Sequence, residues 1–354
     1  MFRDNSIAVV VPAYNESGFV GDVIRDMPAY VDYIYVVDDC STDDTWDEIL
    51  TAAAADHETY EGLETADIAE SALADGGEHV LEGRGVLHRP VGRVVPIQHH
   101  ENRGAGGAIK TGYLAALSRE GDIVVTVDGD GQMDLEQIPR LLDPIVEGVA
   151  DYAKGNRLLY REYRAEMPRV RFLGNAILTL LSKIASGYWK TMDPQNGYTA
   201  ISRYALENVG LAELYEYYGY CNDLLVKLNA KGMRVADVAM PAIYAEEASS
   251  ISYPAYIRKV SLMLLRNFLW RLKVKYLVLN FHPLALFYFF GAPTAILGAG
   301  AVLWTIYAKV WLDQAIFVRM SLSMMLFTMG SMFLLFAMLF DMQVNEDKEV
   351  QIHE

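Results

Sequence analysis

Two long stretches near the C-terminus carry no charged residue, and they limit the possible folds more than any other feature of the sequence. One runs from Pro283 to Ala308 over 26 positions, and the other runs from Met320 to Phe340 over 21 positions. About 20 apolar residues in a helix span the hydrocarbon core of a bilayer, so both stretches are long enough to cross it. Because the linker between them is short, residues 281–341 are predicted to form a two-helix transmembrane hairpin. A pair of buried core helices is the alternative interpretation.

Residues 251–280, just before the hairpin, combine apolar residues at helical spacing with a set of basic side chains. This pattern predicts an amphipathic helix that lies on the membrane surface and attracts anionic headgroups or a lipid phosphate. By the positive-inside rule, the same charges place the preceding domain in the cytoplasm. Residues 342–354 are expected to form an acidic cytoplasmic tail. The basic residues are Arg258, Lys259, Arg266, Arg271, Lys273 and Lys275.

The composition divides the chain into an acidic part and a basic, apolar part. The formal net charge is −16 although 52% of the residues are hydrophobic, and the negative charge is concentrated before residue 250. So acidic a domain argues against nucleic acid as a partner, because phosphate backbones bind basic surfaces. It favours a salt-rich cytoplasm, such as that of a halophilic archaeon. Two separated cysteines, Cys40 and Cys221, show no metal-site spacing and indicate a reducing compartment.

Within residues 1–250, short apolar runs alternate with helical patterns. This order predicts an α/β fold with a mostly parallel sheet and helices on both faces. The irregular acidic segment 56–93 interrupts the alternation and is interpreted as an insertion. Ligands of such sheets bind beyond the carboxyl ends of the strands. The predicted strands are Ile7–Val11, Tyr33–Val37, Val94–His99 and Ile123–Val127.

Polar clusters follow each of these strands directly. Tyr14–Glu16, Asp38–Asp39, Glu101–Gly104 and Asp128–Asp130 all occupy such positions. Because the carboxyl ends of parallel strands meet at one edge of the sheet, the clusters are expected to form one site there.

The last cluster predicts a metal site. Asp128 and Asp130 flank a glycine, and Gln132 offers a third oxygen. Hard cations such as Mg²⁺ or Mn²⁺ prefer oxygen ligands, whereas zinc sites use the His and Cys that are missing nearby. A cation held there would bridge a diphosphate and neutralise the charge on a leaving group.

The glycine-rich turn from Asn102 to Lys110 leads into a predicted helix. Backbone N–H groups at the start of a helix favour phosphate. The alternative is that the glycines only permit tight chain packing.

Taken together, these motifs resemble those of the family 2 inverting glycosyltransferases, which have the Rossmann-like GT-A fold. Within that family the sequence is most similar to the dolichyl-phosphate mannose/glucose synthase group. The resemblance covers about residues 6 to 260, and the order of the motifs makes it specific. The insertion and Cys40 depart from the family pattern. The motifs are Val10–Glu16, Val36–Thr45, Asn102–Ala108 and Asp128–Gln132.

The resemblance implies a role for each motif. The nucleotide sugar would be bound by the segments that carry Pro12, Tyr14, Glu16, Asp38, Asp39, Asn102, Gly104, Lys110 and Asp128. The metal would be held by Asp128, Asp130 and Gln132. Arg157 would contact a donor or acceptor phosphate. The sugar and acceptor pocket would be lined by Asp193, Gln195 and Asn196, with Ser249 in a segment that closes over the diphosphate and lacks the family's usual Gly and Lys.

The predicted reaction is transfer of a hexose from a UDP- or GDP-sugar to a polyprenyl (dolichyl) phosphate. The sequence does not specify the nucleotide base of the donor or the identity of the hexose. A phosphate nucleophile is already ionised at neutral pH and needs no general base. One alternative is an enzyme that extends a lipid-linked saccharide with Asp223 as its base. Another is an inactive membrane scaffold, against which the intact set of Asn102, Asp128, Asp130 and Arg157 argues.

Overall fold

A computed structural model describes residues 1–60, 81, 83–119, 121–160, 169–241 and 253–353. Its centre is one sheet with the strand order β3-β4-β2-β1-β5-β7-β6-β8-β9. Most neighbouring strands are parallel, but β3 pairs antiparallel with β4, and β7 pairs antiparallel with both β5 and β6. The strands are β1 Ile7–Ala13, β2 Tyr33–Asp38, β3 Gly85–Leu87, β4 Val94–His99, β5 Ile123–Thr126, β6 Tyr152–Asn156, β7 Thr199–Ser202, β8 Val235–Ala239 and β9 Glu349–Ile352.

Helices cover both faces of this sheet, and two long helices extend from it. Strand β1 shows why the sheet is covered twice, since Ile7, Val9 and Val11 face one apolar core while Ala8 and Val10 face another. A strand buried on both faces reads as a continuous apolar run. The helices are α1 Val20–Arg25, α2 Thr45–Thr59, α3 Ala105–Leu117, α4 Ile138–Val146, α5 Arg169–Ser186, α6 Arg203–Asn208, α7 Tyr220–Ala230, α8 Tyr253–Lys273, α9 Leu284–Leu312 and α10 Phe317–Asn345.

The predicted α/β fold is confirmed, and the four predicted strands are β1, β2, β4 and β5. The insertion expected at 56–93 has its two ends inside the fold. Helix α2 runs on to Thr59, and β3 is part of the sheet. Buried Arg93 binds buried Asp56 at 2.8 Å, which joins the two ends of the segment. Residues 61–80 and 82 lie outside the described part of the chain.

Helices α9 and α10 form the predicted hairpin, and both are long and apolar enough to cross a membrane. Each is longer than its charge-free stretch. They pack closely at glycines, where a Cβ built on Gly298 would lie 2.3 Å from Phe327 N, and one on Gly330 would lie 2.2 Å from Ala295 N. Small residues at a helix contact allow this approach and the dispersion contacts that come with it. Large apolar side chains, such as Leu303 and Phe317, cover the outer surface of the pair.

Helix α8 occupies the segment predicted to lie on the membrane surface, but two of its expected membrane-facing charges are buried. Arg271 and Lys275, the latter in the π-helical turn Val274–Leu279, are 0% and 8% exposed. Both bind polar groups of the protein, so four of the six basic residues remain exposed. Sequence spacing placed them on a polar face, but it does not show that α10 and α7 supply partners there.

The predicted acidic cytoplasmic tail at 342–354 contributes residues to the ordered fold. After α10 and a short turn, residues Glu349–Ile352 form β9, which pairs in parallel with β8 at the edge of the sheet. A strand of four residues with only two apolar side chains has no distinctive sequence pattern. The chain therefore leaves the catalytic sheet, forms the hairpin and returns to the same sheet.

Candidate active site

The carboxyl ends of β4, β2, β1 and β5 lie side by side, as the predicted sheet required. Backbone hydrogen bonds join the loops that follow them. Asp39 N donates to Ala13 O at 2.8 Å, and Gly129 N donates to Pro12 O at 3.1 Å. The polar clusters that the sequence placed after separate strands therefore form one continuous edge.

Asp128 and Asp130 stand at the centre of this edge, directly after β5. Burial, followed by the neighbouring Asp130 carboxylate, raises the pKa of Asp128 to about 7, and the Arg157 guanidinium opposes the rise. Asp130 Oδ1 accepts a hydrogen bond from Gln132 N at 3.0 Å, which turns the loop back on itself. A buried carboxylate whose ionisation a neighbouring carboxylate disfavours forms a site that a cation would stabilise.

The donor set fits a hard cation bound together with a substrate. Within the described residues, no group of three or more His, Cys, Asp or Glu side chains is arranged to hold a metal by itself. Mg²⁺ commonly binds through one or two carboxylates plus substrate phosphates, so the Asp128 and Asp130 pair suffices when a diphosphate supplies further oxygens.

Gly197 approaches the Asp128 carboxylate from the loop before the neighbouring strand β7. A Cβ at this position would lie 3.3 Å from Asp128 Oδ2 and 3.2 Å from the Tyr220 hydroxyl. Only a residue without a side chain leaves both groups undisturbed. The start of α7 and the loop before β7 therefore complete the wall beside the carboxylate pair.

Arg157 follows β6 and makes a bidentate ion pair with Asp193. Its Nε donates to Asp193 Oδ2 at 2.7 Å and its Nη2 donates to Oδ1 at 3.0 Å. Burial alone would raise the pKa of Asp193, but the Arg157 guanidinium holds it below its usual value. The charge of Arg157 also acts on Asp128, so this pair lies near the carboxylates. The contact of Arg157 with a phosphate stays a prediction.

The predicted acceptor segment forms a turn after Asp193. Asn196 N donates to Asp193 O at 3.1 Å, and Asn196 Oδ1 accepts from Tyr198 N at 3.0 Å. Asn196 is thus used in shaping the turn. The Nε2 atom of Gln195 is buried and has no hydrogen-bond partner among the described residues. A buried amide without a partner is costly unless a ligand satisfies it.

Asp39 is held within the protein by three groups. Its carboxylate accepts from Arg103 N and Gly104 N, both at 2.8 Å, and lies 2.6 Å from His99 Nδ1. His99 Nε2 in turn lies 2.8 Å from the Thr111 hydroxyl. The network fixes the glycine-rich turn against β2 and β4.

Of the remaining residues predicted to bind the nucleotide sugar, some lie at the carboxyl edge of the sheet and others bind groups within the protein. Tyr14 and Asn102 are exposed on the edge, and Glu16 follows in the same loop as Tyr14. Asp38 is buried and accepts from Ser41 N at 3.1 Å. Lys110 donates to Glu216 at 2.9 Å from within α3.

Glu216 is the centre of a small cluster behind the glycine-rich turn. Arg84 donates to the same carboxylate at 2.7 Å. Although burial opposes the change, these hydrogen bonds from Arg84 and Lys110 lower the pKa of Glu216 to about 2. The Lys110 ammonium therefore supports the loop that carries Gly104, and its predicted contact with the donor stays a prediction.

Comparison with known proteins assigns the family. The sequence profile described as Glycosyl transferase family 2 matches residues 8–61 and 87–210, which together make up half of the chain. The chain belongs to glycosyltransferase family 2. The gap in the match coincides with the acidic insertion, and the matched residues include every strand end described above.

Named relatives of this glycosyltransferase resemble it over most of their length. The UDP-N-acetylglucosamine–dolichyl-phosphate N-acetylglucosaminyltransferase of Methanococcus voltae is 27% identical over 69% of this chain and 88% of its own. The dolichyl-phosphate hexose transferase of Haloferax volcanii is 26% identical over 69% and 85%. The polyprenol monophosphomannose synthase of Mycolicibacterium smegmatis is 28% identical over 69% and 79%.

Solved structures resemble the glycosyltransferase more distantly. Glucosyl-3-phosphoglycerate synthase from Mycobacterium tuberculosis is 23% identical, covers 76% of this chain and 80% of its own, and has a TM-score of 0.48. The mannosyltransferase PcManGT from Pyrobaculum calidifontis, solved with GDP-Man and Mn²⁺, is 16% identical, covers 97% and 88%, and has a TM-score of 0.41.

Two further predicted site residues of the glycosyltransferase, Ser249 and Asp223, do not lie among the groups described above. Ser249 lies outside the described residues. Asp223 is buried in α7, where its carboxylate accepts from Tyr215 N at 2.9 Å and from Asn267 Nδ2 at 2.7 Å. Burial raises the pKa of Asp223, against the effect of nearby Lys227. Its role as a base stays a prediction.

Sequence reasoning missed several residues that shape the glycosyltransferase site. His99 ends a predicted strand, and a polar residue at the carboxyl end of a strand could have been predicted to belong to the site. Gly197 lies in the segment that resembles the family's pocket lining, but its contact with Asp128 was not predicted. Glu216 and Arg84 gave no signal, because they meet from distant parts of the chain.

Proposed function

We propose that this glycosyltransferase transfers a hexose from a UDP- or GDP-sugar to a polyprenyl phosphate such as dolichyl phosphate, with inversion at the anomeric carbon. One observation carries the proposal. The Asp128 and Asp130 pair and the Arg157–Asp193 pair lie at one edge of the sheet, in a chain with two helices apolar enough to cross a membrane. The names of the relatives, which include dolichyl-phosphate and polyprenol transferases, support it.

The proposed metal is Mg²⁺ or Mn²⁺, held by Asp128 and Asp130 with Gln132 as a further oxygen ligand. A bound cation would supply neutralisation of the negative charge on the departing nucleoside diphosphate. The loops that carry Tyr14, Glu16 and the glycine-rich turn border this position and would hold the nucleotide. Because Asp39 fixes the turn through two backbone N–H groups, its loss would also disturb the nucleotide.

In the transfer step, the bond between the anomeric carbon and the diphosphate breaks and a bond to an oxygen of the lipid phosphate forms. The departing diphosphate keeps the electron pair. The acceptor needs orientation and charge neutralisation rather than deprotonation. Arg157, partly exposed and aligned by Asp193, offers a fixed cation for that phosphate. Gln195 Nε2, which has no hydrogen-bond partner in the described part of the chain, offers a donor in the same turn.

The hairpin and helix α8 would hold the site at the cytoplasmic face of a membrane. Exposed basic residues of α8, including Arg258, Lys259 and Arg266, suit an anionic surface. Strand β9 supports two spans, because an even number of crossings returns the chain to the side from which it started.

The alternative with Asp223 as a base, in which a lipid-linked saccharide is extended, has weaker support. A general base must reach the acceptor hydroxyl. Both oxygens of the Asp223 carboxylate already accept hydrogen bonds, one from a backbone N–H and one from α8. This arrangement suits a residue that joins α7 to the interfacial helix.

The test offers the purified full chain in detergent a panel of UDP- and GDP-hexoses with polyprenyl phosphate and Mg²⁺ or Mn²⁺, and identifies the lipid product by mass. We expect one donor to yield a hexosyl-phosphate lipid in the presence of the cation. Asp130→Asn should lower turnover by roughly a hundredfold or more, since a ligand to the charge-neutralising cation is lost. Asp223→Asn should retain much of the activity.

Asp122→Asn is the matched control, because Asp122 precedes β5 at the opposite end of the strand and binds Ser6 N at 2.8 Å. Its activity should equal that of the wild type. Transfer only to sugar hydroxyls, together with loss of turnover in Asp223→Asn, would favour the saccharide-extending enzyme. No transfer or hydrolysis of any nucleotide sugar would favour the inactive scaffold.

A further inference from the structure

The C-terminal strand β9 contacts the loop on the acceptor side of the site through Glu349, and Gln351 Nε2 also donates to Lys190 O at 3.0 Å. Glu349 is the first residue of the strand and is paired with Val235 of β8. Its carboxylate accepts hydrogen bonds from three successive backbone N–H groups, those of Trp189 at 2.6 Å, Lys190 at 2.7 Å and Thr191 at 2.9 Å. Bonds from backbone N–H groups to a carboxylate are among the strong hydrogen bonds of proteins.

The loop held by Glu349 leads directly to the Arg157–Asp193 pair. The next residue, Met192, donates its N–H to Asp237 at 3.0 Å, and its carbonyl accepts from buried Lys154. Asp193 follows with a φ of +46°, a conformation that non-glycine residues adopt only when their surroundings impose it. A displacement of the loop would therefore move the carboxylate that aligns Arg157.

The position of β9 is itself fixed by the end of the hairpin. Asp341 of α10 makes a bidentate pair with Arg271 of α8, at 2.9 and 2.8 Å, and both side chains are fully buried. Asn345, the last residue of α10, accepts from Lys275 at 2.6 Å and from Asn229 of α7 at 3.0 Å. Only three residues separate Asn345 from Glu349, so this buried polar joint sets where β9 begins.

We propose that Glu349 is a positioning residue for the acceptor side of the reaction, and that the C-terminal strand couples the membrane hairpin to the Arg157–Asp193 pair. This inference rests on the proposed function for its substrate. In the folded chain, Glu349 holds residues 189–191 against the edge of the sheet. The turn from Asp193 to Asn196 is thereby kept in the position and orientation that face the acceptor phosphate.

The test compares Glu349→Gln with the wild type, as full-length protein in detergent or nanodiscs. The amide keeps the shape of the side chain but loses the charge and one acceptor oxygen. We expect faster hydrogen exchange at the amides of residues 189–191, with exchange in β2 unchanged. With polyprenyl phosphate as the varied substrate, kcat/KM should fall roughly tenfold to a hundredfold, because small misplacements near the reacting groups have effects of that order. The KM for the nucleotide sugar should stay within about twofold, since that substrate binds at the other side of the edge.

Glu346→Gln is the matched control. Glu346 lies in the turn before β9, and its side chain is 72% exposed, with a carboxylate that comes no closer than 3.9 Å to Lys190 Nζ. It should match the wild type in exchange and in kinetics. The proposal is overturned if exchange at 189–191 is unchanged in Glu349→Gln, or if the kinetic parameters for donor and acceptor deteriorate equally. If the wild type fails to use polyprenyl phosphate, the proposed function fails, while the exchange measurement still decides whether Glu349 holds the loop.

Discussion

At the scale of single residues, three of the six non-glycine residues with a positive φ among the described residues lie in loops of the candidate site. Asn15, Cys40 and Asp193 have φ values of +58°, +62° and +46°, and each lies at the edge where the motifs meet. A side chain in the left-handed region costs about 1–2 kcal/mol, which the surrounding hydrogen bonds must offset. Glycine would adopt the positive φ of Cys40 without strain, so this geometry does not account for a cysteine at the position.

Gly197→Ala tests the close approach of the loop before β7 to Asp128. The added methyl group would lie 3.3 Å from Asp128 Oδ2, so the carboxylate or the Tyr220 hydroxyl must shift by a few tenths of an ångström. We expect kcat/KM to fall roughly tenfold, because misplaced catalytic groups lose activity before the fold loses stability. Steady-state kinetics and a thermal melt of the same sample measure both effects.

Gly121→Ala provides the comparison for this substitution, since its methyl group would meet only Ala8 Cβ at 3.7 Å, an ordinary contact. It should leave activity unchanged. Equal activity of the two variants would show that Asp128 tolerates displacement, and would argue against its assigned place in the metal site.

At the scale of secondary structure elements, the hairpin shows how sequence length and residue size act together. Absence of charge predicted where α9 and α10 lie, while glycines decide how closely they pack. Gly298 and Gly330 lie in the contact, whereas a Cβ on Gly300 would meet no other atom within 4 Å. The spacing of Gly298 and Gly300 alone does not distinguish them, because both lie in one glycine- and alanine-rich stretch.

Gly298→Leu should therefore separate α9 from α10, whereas Gly300→Leu should be tolerated. We expect Gly298→Leu to destabilise the hairpin by about 1–3 kcal/mol, the usual cost of overpacking. The measurement is the unfolding midpoint of the purified protein in detergent at constant detergent concentration. If Gly300→Leu proves the more harmful of the two, the packing described for the hairpin is wrong.

At the scale of the whole molecule, a buried ion pair joins the hairpin to the catalytic domain. Arg271 and Asp341 are both fully buried, and Arg271 Nη2 also donates to Ile184 O of α5 at 3.1 Å. A buried pair is weak evidence for stability in itself, but removal of one partner leaves an uncompensated charge. The pair therefore favours one mutual arrangement of α5, α8 and α10.

Arg271→Met should cost about 3–5 kcal/mol of unfolding free energy, because Asp341 then stays buried without its partner. Arg271→Met combined with Asp341→Leu should recover roughly half of that loss or more, since an apolar pair needs no charge compensation. Chemical denaturation of the four proteins in the double-mutant cycle measures the coupling. Additive losses would show that the two side chains do not act on each other.

The sequence by itself determined the alternation of strands and helices, the two apolar spans and the carboxylates after β5, because burial patterns and strand-end positions are local properties of the chain. It also carried the motifs of family 2. Only the tertiary structure decided which distant groups meet. Glu349 contacts the loop at 189–191, although about 160 residues separate them in the sequence. Arg271 pairs with Asp341, although the two are 70 residues apart. Contacts of this kind depend on strand order and helix packing, which no short-range pattern encodes.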